Sequence, residues 1–362
     1  MSRTAPDFEE THMSTTQLED VGTGSRPAVI PATQAPVSEP RGKRKPTIPL
    51  ALFGMPLGLA GLGGVWAAAH QHFGAPLWPE EVFYGAGTAL WVIFTAVYVW
   101  RGMLLRGSFT TDRKHPISGP FAAYIPLVGA LLSSHYFAYL PGVGIVLTIG
   151  FVAAMAIVGA QLVAHWLNGG VTMNMVHGGY FIPVVAGANV ASISFSIIGF
   201  REAALAAFGA GLFFFLVVGA VILVRLMTSA ELPAALKPSM SAFLAATATS
   251  NLAWILTHPG PIDEVQWILT GLLVLMLLVQ VVLIGDYRKL AFNASFWIFT
   301  FPIASAGNYA IRWLDAVETP GAAIWGWAIL AITTAFVLAV AGRTIQLGIR
   351  DRRSARSAHI TR

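Results

Sequence analysis

The chain has 362 residues, 56% of them hydrophobic and only 11% charged, and its mean hydropathy is +0.67. Soluble domains carry about 25% charged residues, so the composition excludes an ordinary soluble globular protein and fits an integral membrane protein with room for roughly ten helical spans. Cysteine is absent, which excludes disulfides, thiolate metal sites and cysteine nucleophiles. The formal charge of +5 would suit nucleic acid, but the placement of the basic residues points to a membrane surface instead.

Residues 1–46 are rich in Ser, Thr, Pro and acids and hold no apolar run, so a disordered tail is expected there and not a signal peptide. The tail closes on a basic cluster, Arg41, Lys43, Arg44 and Lys45. Apolar segments then follow at 48–69, 82–104, 119–137, 141–167, 178–199, 203–226, 238–257, 265–286, 292–311 and 321–345. They define an all-α membrane domain over 47–345, followed by a basic tail over 346–362. An even number of spans puts both tails on one side. On that side fall 20 of the 22 Lys and Arg residues, leaving Arg201 and Arg312 opposite. The positive-inside rule makes the tail side cytoplasmic, and a multi-pass protein of the cytoplasmic membrane is expected.

A repeat underlies the segments. Odd-numbered spans carry a proline among aromatic and small residues: Phe53 to Pro56, Tyr124 to Pro126, Phe181 to Pro183, Pro238 to Phe243, and Thr300, Phe301, Pro302. The prolines recur every 55–70 residues, the length of one helical hairpin with its loops. Even-numbered spans are bulky and lack central prolines. Five hairpins, each with one kinked polar-tinged helix and one greasy helix, predict an inner ring of Pro-kinked helices inside an outer ring. Residues 293–308 are the richest example, with a bulky ring at Phe301 beside the break and small residues after it, as a pore-lining helix with a plug would read.

The motifs H-G-G-Y-F-I-P-V-V-A-G (177–187), H-P-G-P-I-D (258–263), F-N-A-S-F-W-I-F-T-F-P (292–302) and D-R-K-H-P (112–116) resemble the tellurite-resistance/dicarboxylate transporter family, a group that includes TehA-like proteins and plant slow-type anion channels. The resemblance covers 47–345. It implies ten helices as five quasi-repeated hairpins, a central pore, a homotrimer and an occluding phenylalanine. That gate falls on Phe301, with Phe299 the alternative on the other side of the helix. The residues above, Phe53, Pro56, Tyr124, Pro126, Phe181, Pro183, Pro238, Phe243, Thr300 and Pro302, are then the candidate pore lining. Where many relatives carry a Pro-Pro pair in span 7, this chain has Ala245-Ala246-Thr247-Ala248-Thr249.

No charged residue falls at the centre of a span, so the proton relays that need one have no obvious member. The small polar residues on odd spans, among them Ser133, Asn189, Thr249, Asn251, Ser305 and Asn308, read either as weak ion contacts or as glue between helices. Neither a cofactor motif nor a metal-ligand spacing is present; His70-x-His72 is the nearest approach to one. His177 reads as a pH-sensitive or anion-attracting group at a pore mouth, or as an interfacial polar residue. Arg201 and Arg312 read as anion collectors, or as partners of Glu202 and Asp315. Three functions remain open on the residues: a gated passive pathway for small anions, a proton-coupled carrier of dicarboxylates or sulfite, and an intramembrane enzyme. The third would need a convergent catalytic set, and none is visible.

Overall fold

A computed structural model describes residues 48–104 and 108–360. The tail expected over 1–46 lies outside the described residues. All regular elements among the described residues are helical. In chain order they are α1 (Gly54–Phe73), α2 (Trp78–Val97), α3 (Ser108–Lys114), α4 (Tyr124–Tyr136), α5 (Pro141–Leu167), α6 (Gly187–Ile197), α7 (Arg201–Thr228), α8 (Ala242–Thr257), α9 (Glu264–Tyr287), α10 (Thr300–Ala316) and α11 (Ala322–Ile360). Seven helical stretches among the described residues are long and apolar enough to cross a membrane. The short helices α4, α8 and α10 are each led in by a 3-10 segment, at Gly119–Ala123, Lys237–Ser241 and Ala294–Phe299.

Those lead-ins correct the expectation of kinks within helices. Pro56, Pro126 and Pro302 are each the third residue of their α-helix, directly after a 3-10 segment. Proline has no N–H to donate, and the first-turn N–H groups of an α-helix have no partner within it. Starting the α-helix just before the proline therefore sacrifices no hydrogen bond, and the break becomes a change of helix type. Pro183 instead sits in a π-helical turn, Ile182–Ala186, where the widened backbone absorbs the missing donor. Pro238 lies within a 3-10 segment.

Consecutive helices pack in pairs, α1 with α2, α4 with α5, α6 with α7, α8 with α9 and α10 with α11. The first members of the pairs also touch one another in sequence, α1–α4–α6–α8–α10, and α10 packs back against α1, so the five close a ring. The apolar stretches that contain α1 and α6 are largely buried, whereas in α2, α5, α7, α9 and α11 less than a third of the apolar stretch is buried. Two local features set the register. Gly87 of α2 lies so close to the Pro56 carbonyl that a Cβ there would be 3.2 Å from it, which lets the first pair seat tightly. Asp263 accepts the Gln266 N–H at 2.7 Å and starts α9. At the other end of the chain, α11 continues to Ile360, so the basic segment after residue 345 extends the last helix.

Candidate functional site

The five ring helices enclose two cavities stacked along their length. The distal one, about 270 Å³, is lined by Gly61 and Gly64 of α1, Ser134 and His135 of α4, Ile193 of α6, Leu252 of α8, and Ser305, Asn308 and Arg312 of α10. The proximal one, about 30 Å³, is lined nearer the helix starts by Leu57, Tyr124, Ile182, Ala246, Trp297 and Pro302. Phe301 lines both. Its side chain is 7% exposed and lies against Gly61, where a Cβ would come within 3.1 Å of the ring. A bulky apolar ring therefore stands between the two cavities.

Phe299 lies elsewhere. It packs edge-on against Tyr287 (4.7 Å between centroids) and Phe296 (5.7 Å). With Leu277 and Phe336 it lines an outer groove of about 690 Å³. Two residues of helix turn the side chain by roughly 200°, so a ring that faces the inner cavities at 301 faces the outer groove at 299.

Of the candidate pore-lining residues, Tyr124, Phe181 and Pro302 reach the proximal cavity. The others are buried or half-buried against neighbouring elements and line neither cavity. Phe53 meets Phe94 of α2 at 5.8 Å, edge to face. The carbonyls of Pro56 and Pro183 face Gly87 of α2 and Gly159 of α5. Thr300 donates to the Trp297 carbonyl at 2.7 Å, and Phe243 packs on Phe181 at 4.9 Å. Pro126 and Pro238 are buried away from both cavities. For the prolines the physical reason is that each lies at or before the start of a ring helix, while most cavity-lining positions of α1, α4, α6, α8 and α10 lie further along.

Most of the small polar residues join helices. Ser133 bonds Thr148 of α5 at 3.0 Å. The Asn189 amide donates to Ser250 at 2.9 Å and Thr249 at 3.0 Å, tying α6 to α8. The Asn251 amide donates to the Leu269 carbonyl at 2.9 Å, and its oxygen accepts from Gln266 at 2.7 Å, tying α8 to α9. Ser305 and Asn308 do face the distal cavity.

The three mouth candidates separate. His177 is fully buried; its Nδ1 accepts the Gly179 N–H at 3.0 Å and its Nε2 donates to the Ile117 carbonyl at 3.1 Å. Burial pushes it down to about 4, so it is a neutral cap on the turn before α6 and no anion attractor. Arg201 donates to the Thr257 carbonyl at 3.1 Å, closing the end of α8, and lines neither ring cavity. Arg312 does. It donates to Asn308 Oδ1 at 2.9 Å and Gln71 Oε1 at 3.2 Å, while Asp315 pairs with His72 at 2.7 Å. No carboxylate lies within 4 Å of Arg312 among the described residues.

Sequence reasoning missed the acid beside it. Glu80, 9% exposed, lines the distal cavity and lies 3.5 Å from His135, which stacks on Tyr84 at 3.7 Å. Glu81 lies 3.4 Å from the other His135 nitrogen and accepts from Tyr139 at 2.5 Å. Ligand atoms of Glu80, Glu81 and His135 fall within 4.8 Å of one another, although the imidazole already has a carboxylate on each side. Nothing in the sequence links residues 80 and 135. Only the packing of α2 on α4 does so.

A sequence profile described as SLAC1, voltage-dependent anion channel, matches residues 47–345. A tellurite resistance protein TehA homolog of Haemophilus influenzae is 24% identical over 281 residues, 77% of this chain and 85% of that protein. The S-type anion channel SLAH3 of Arabidopsis thaliana is 24% identical over 325 residues, 84% of this chain but 50% of that one. The guard cell S-type anion channel SLAC1 of the same plant is 28% identical over 179 residues, 49% of this chain and 31% of that protein. A helical fold with several membrane-length apolar stretches and a profile match over most of the chain lead to one assignment: the chain belongs to the SLAC1 family of voltage-dependent anion channels.

Proposed function

We propose that this protein is a gated anion channel or uniporter-like permease that moves small inorganic anions, oxyanions included, across the cytoplasmic membrane. In this reading the chain crosses the membrane ten times with both tails in the cytoplasm. The five-helix ring encloses the pathway, Phe301 closes it, and three copies assemble as a homotrimer. The observation that carries the reading is that one phenylalanine lines the cavities on both of its sides within a ring of five helices. Arg312 in the distal cavity supplies an attraction for anions, and the hydroxyl and amide donors of Ser305 and Asn308 offer weak contacts that release an ion as readily as they take it. Membership of the anion-channel family supports the sign of the ion.

The test is chloride and nitrate flux into liposomes holding the purified protein. Phe301→Ala is expected to raise flux severalfold with expression unchanged, and Phe299→Ala to leave it as it was. Flux should not respond to a proton gradient. If it runs only with one, the protein is instead a proton-coupled carrier; if neither phenylalanine matters, the plug is wrong.

A further inference from the structure

A cavity outside the ring, also about 270 Å³, lies between α3 and the last turns of α5. Its lining is Arg113 and Lys114 from α3 with Gln161, Ala164, His165 and Asn168 from α5. Two of these residues are cations, and all but Ala164 carry a nitrogen that can donate a hydrogen bond. No carboxylate among the described residues lines the space. The adjacent Asp112 accepts from Tyr98 at 3.0 Å, and no ion pair among the described residues involves Arg113 or Lys114. Arg113 Nε and His165 Nε2 are buried without any hydrogen-bond partner. Native proteins rarely leave such groups unmatched, and here both belong to residues that line the same space.

The approach to this cavity is apolar. On α5, Val146, Gly150, Ala153 and Ile157 are exposed and spaced four, three and four residues apart, so they form one lane along the helix. The lane runs on through Gln161, Ala164 and Asn168 into the cavity. The C-terminal ends of α3 and α5 meet here and place partial negative charge nearby, roughly half a charge each at most. Two full cations outweigh it. A guanidinium fork beside an ammonium suits the several oxygens of a phosphate better than a single monatomic ion.

We propose that this cavity binds a phosphate group, and that the phosphate is the headgroup of an anionic phospholipid whose chain lies along the Val146 to Ile157 lane. The site is separate from the ring cavities and independent of what passes through them. Each basic residue near an anionic headgroup is worth about fivefold in affinity, so the pair gives a preference of about twenty-five-fold over a zwitterionic lipid.

The experiment uses the full chain in neutral detergent, with retained lipid counted by native mass spectrometry. Phosphatidylglycerol is compared with phosphatidylcholine, and glycerol 3-phosphate is offered as a soluble competitor. The wild type should favour phosphatidylglycerol by the factor above, the R113Q/K114Q pair should lose that preference, and K114E should lower it at least about fivefold. Lys114 is exposed, so K114E carries the test if the double variant does not fold. Retention of phosphatidylglycerol at the wild-type level by K114E overturns the site. Displacement by glycerol 3-phosphate at equal concentration overturns the lipid source and leaves a soluble phosphate as the ligand.

Discussion

Gly61 and Phe301 meet so closely that a Cβ at position 61 would stand 3.1 Å from Cδ2 of the ring, and equally close to the Ala304 methyl. The ring has cavity on both sides but helix α1 at its back. A methyl added at 61 meets both groups, so the ring must swing aside and the seam between α1 and α10 must open slightly at Ala304, which is fully buried.

Gly61→Ala is therefore expected to push Phe301 further into the lumen and to lower anion flux by a few-fold, with a stability cost of about 1–3 kcal/mol for overpacking. In a Phe301→Ala background the same change should leave flux untouched, since the obstacle is gone. Equal reduction in both backgrounds would detach Gly61 from the plug.

Arg312, a base, and Glu80, an acid, line the same cavity. Arg312→Gln should lower single-channel anion conductance by roughly two- to fivefold at low salt, with the loss fading at about 1 M salt, where charges are screened beyond about 3 Å. Glu80→Gln should act in the opposite direction. Conductance measured against salt concentration checks both signs, and matching changes in the two variants would contradict an electrostatic role.

His177 gives a pH dependence of stability. An unperturbed imidazole titrates near 6.5, and burial holds this one down at about 4. The unfolded chain therefore takes up a proton in that interval and the folded one does not. Stability from this group is complete above about 6.5 and falls as pH drops toward 4, by up to about 3 kcal/mol. His177→Asn should flatten that part of the thermal-midpoint profile between pH 4 and 6.5. A wild-type midpoint constant over this range would show that the histidine is not held neutral.

Asn251 ties two helices together by donating to the Leu269 carbonyl and accepting from Gln266, which itself donates to Tyr309 at 3.0 Å. Asn251→Ala strips Gln266 and the Leu269 carbonyl of a partner where no water reaches. About 1–3 kcal/mol of stability should go, read as a lower thermal midpoint in detergent. Anion selectivity should be unchanged, because Asn251 does not line a ring cavity.

Much of the architecture was legible from the chain alone. Composition demanded a membrane, and the apolar segments begin and end within a few residues of the helical stretches over most of the chain. Only α11 runs well past its expected end, because hydropathy stops at the membrane surface while helix propensity does not. The prolines marked the five ring helices, since a residue without an N–H leaves its signature wherever a helix must start or change type. The motif around residue 301 also supplied the aromatic that stands between the cavities.

The direction in which each marked residue faces was a matter for the tertiary structure. Pro56, Pro183, Phe53 and Thr300 share short motifs with lumen residues yet pack on neighbouring helices or on their own backbone, because a turn of one or two residues swings a side chain by roughly 100–200°. His177 looked like a mouth residue until its two nitrogens were seen bonded to backbone. Glu80 gains its place only because α2 packs against α4 and sets it beside His135. Sequence alone determined which segments leave water, because transfer to lipid is nearly a sum over residues. Which side chains meet depended on the packing of helices far apart in the chain, and no local sum contains that.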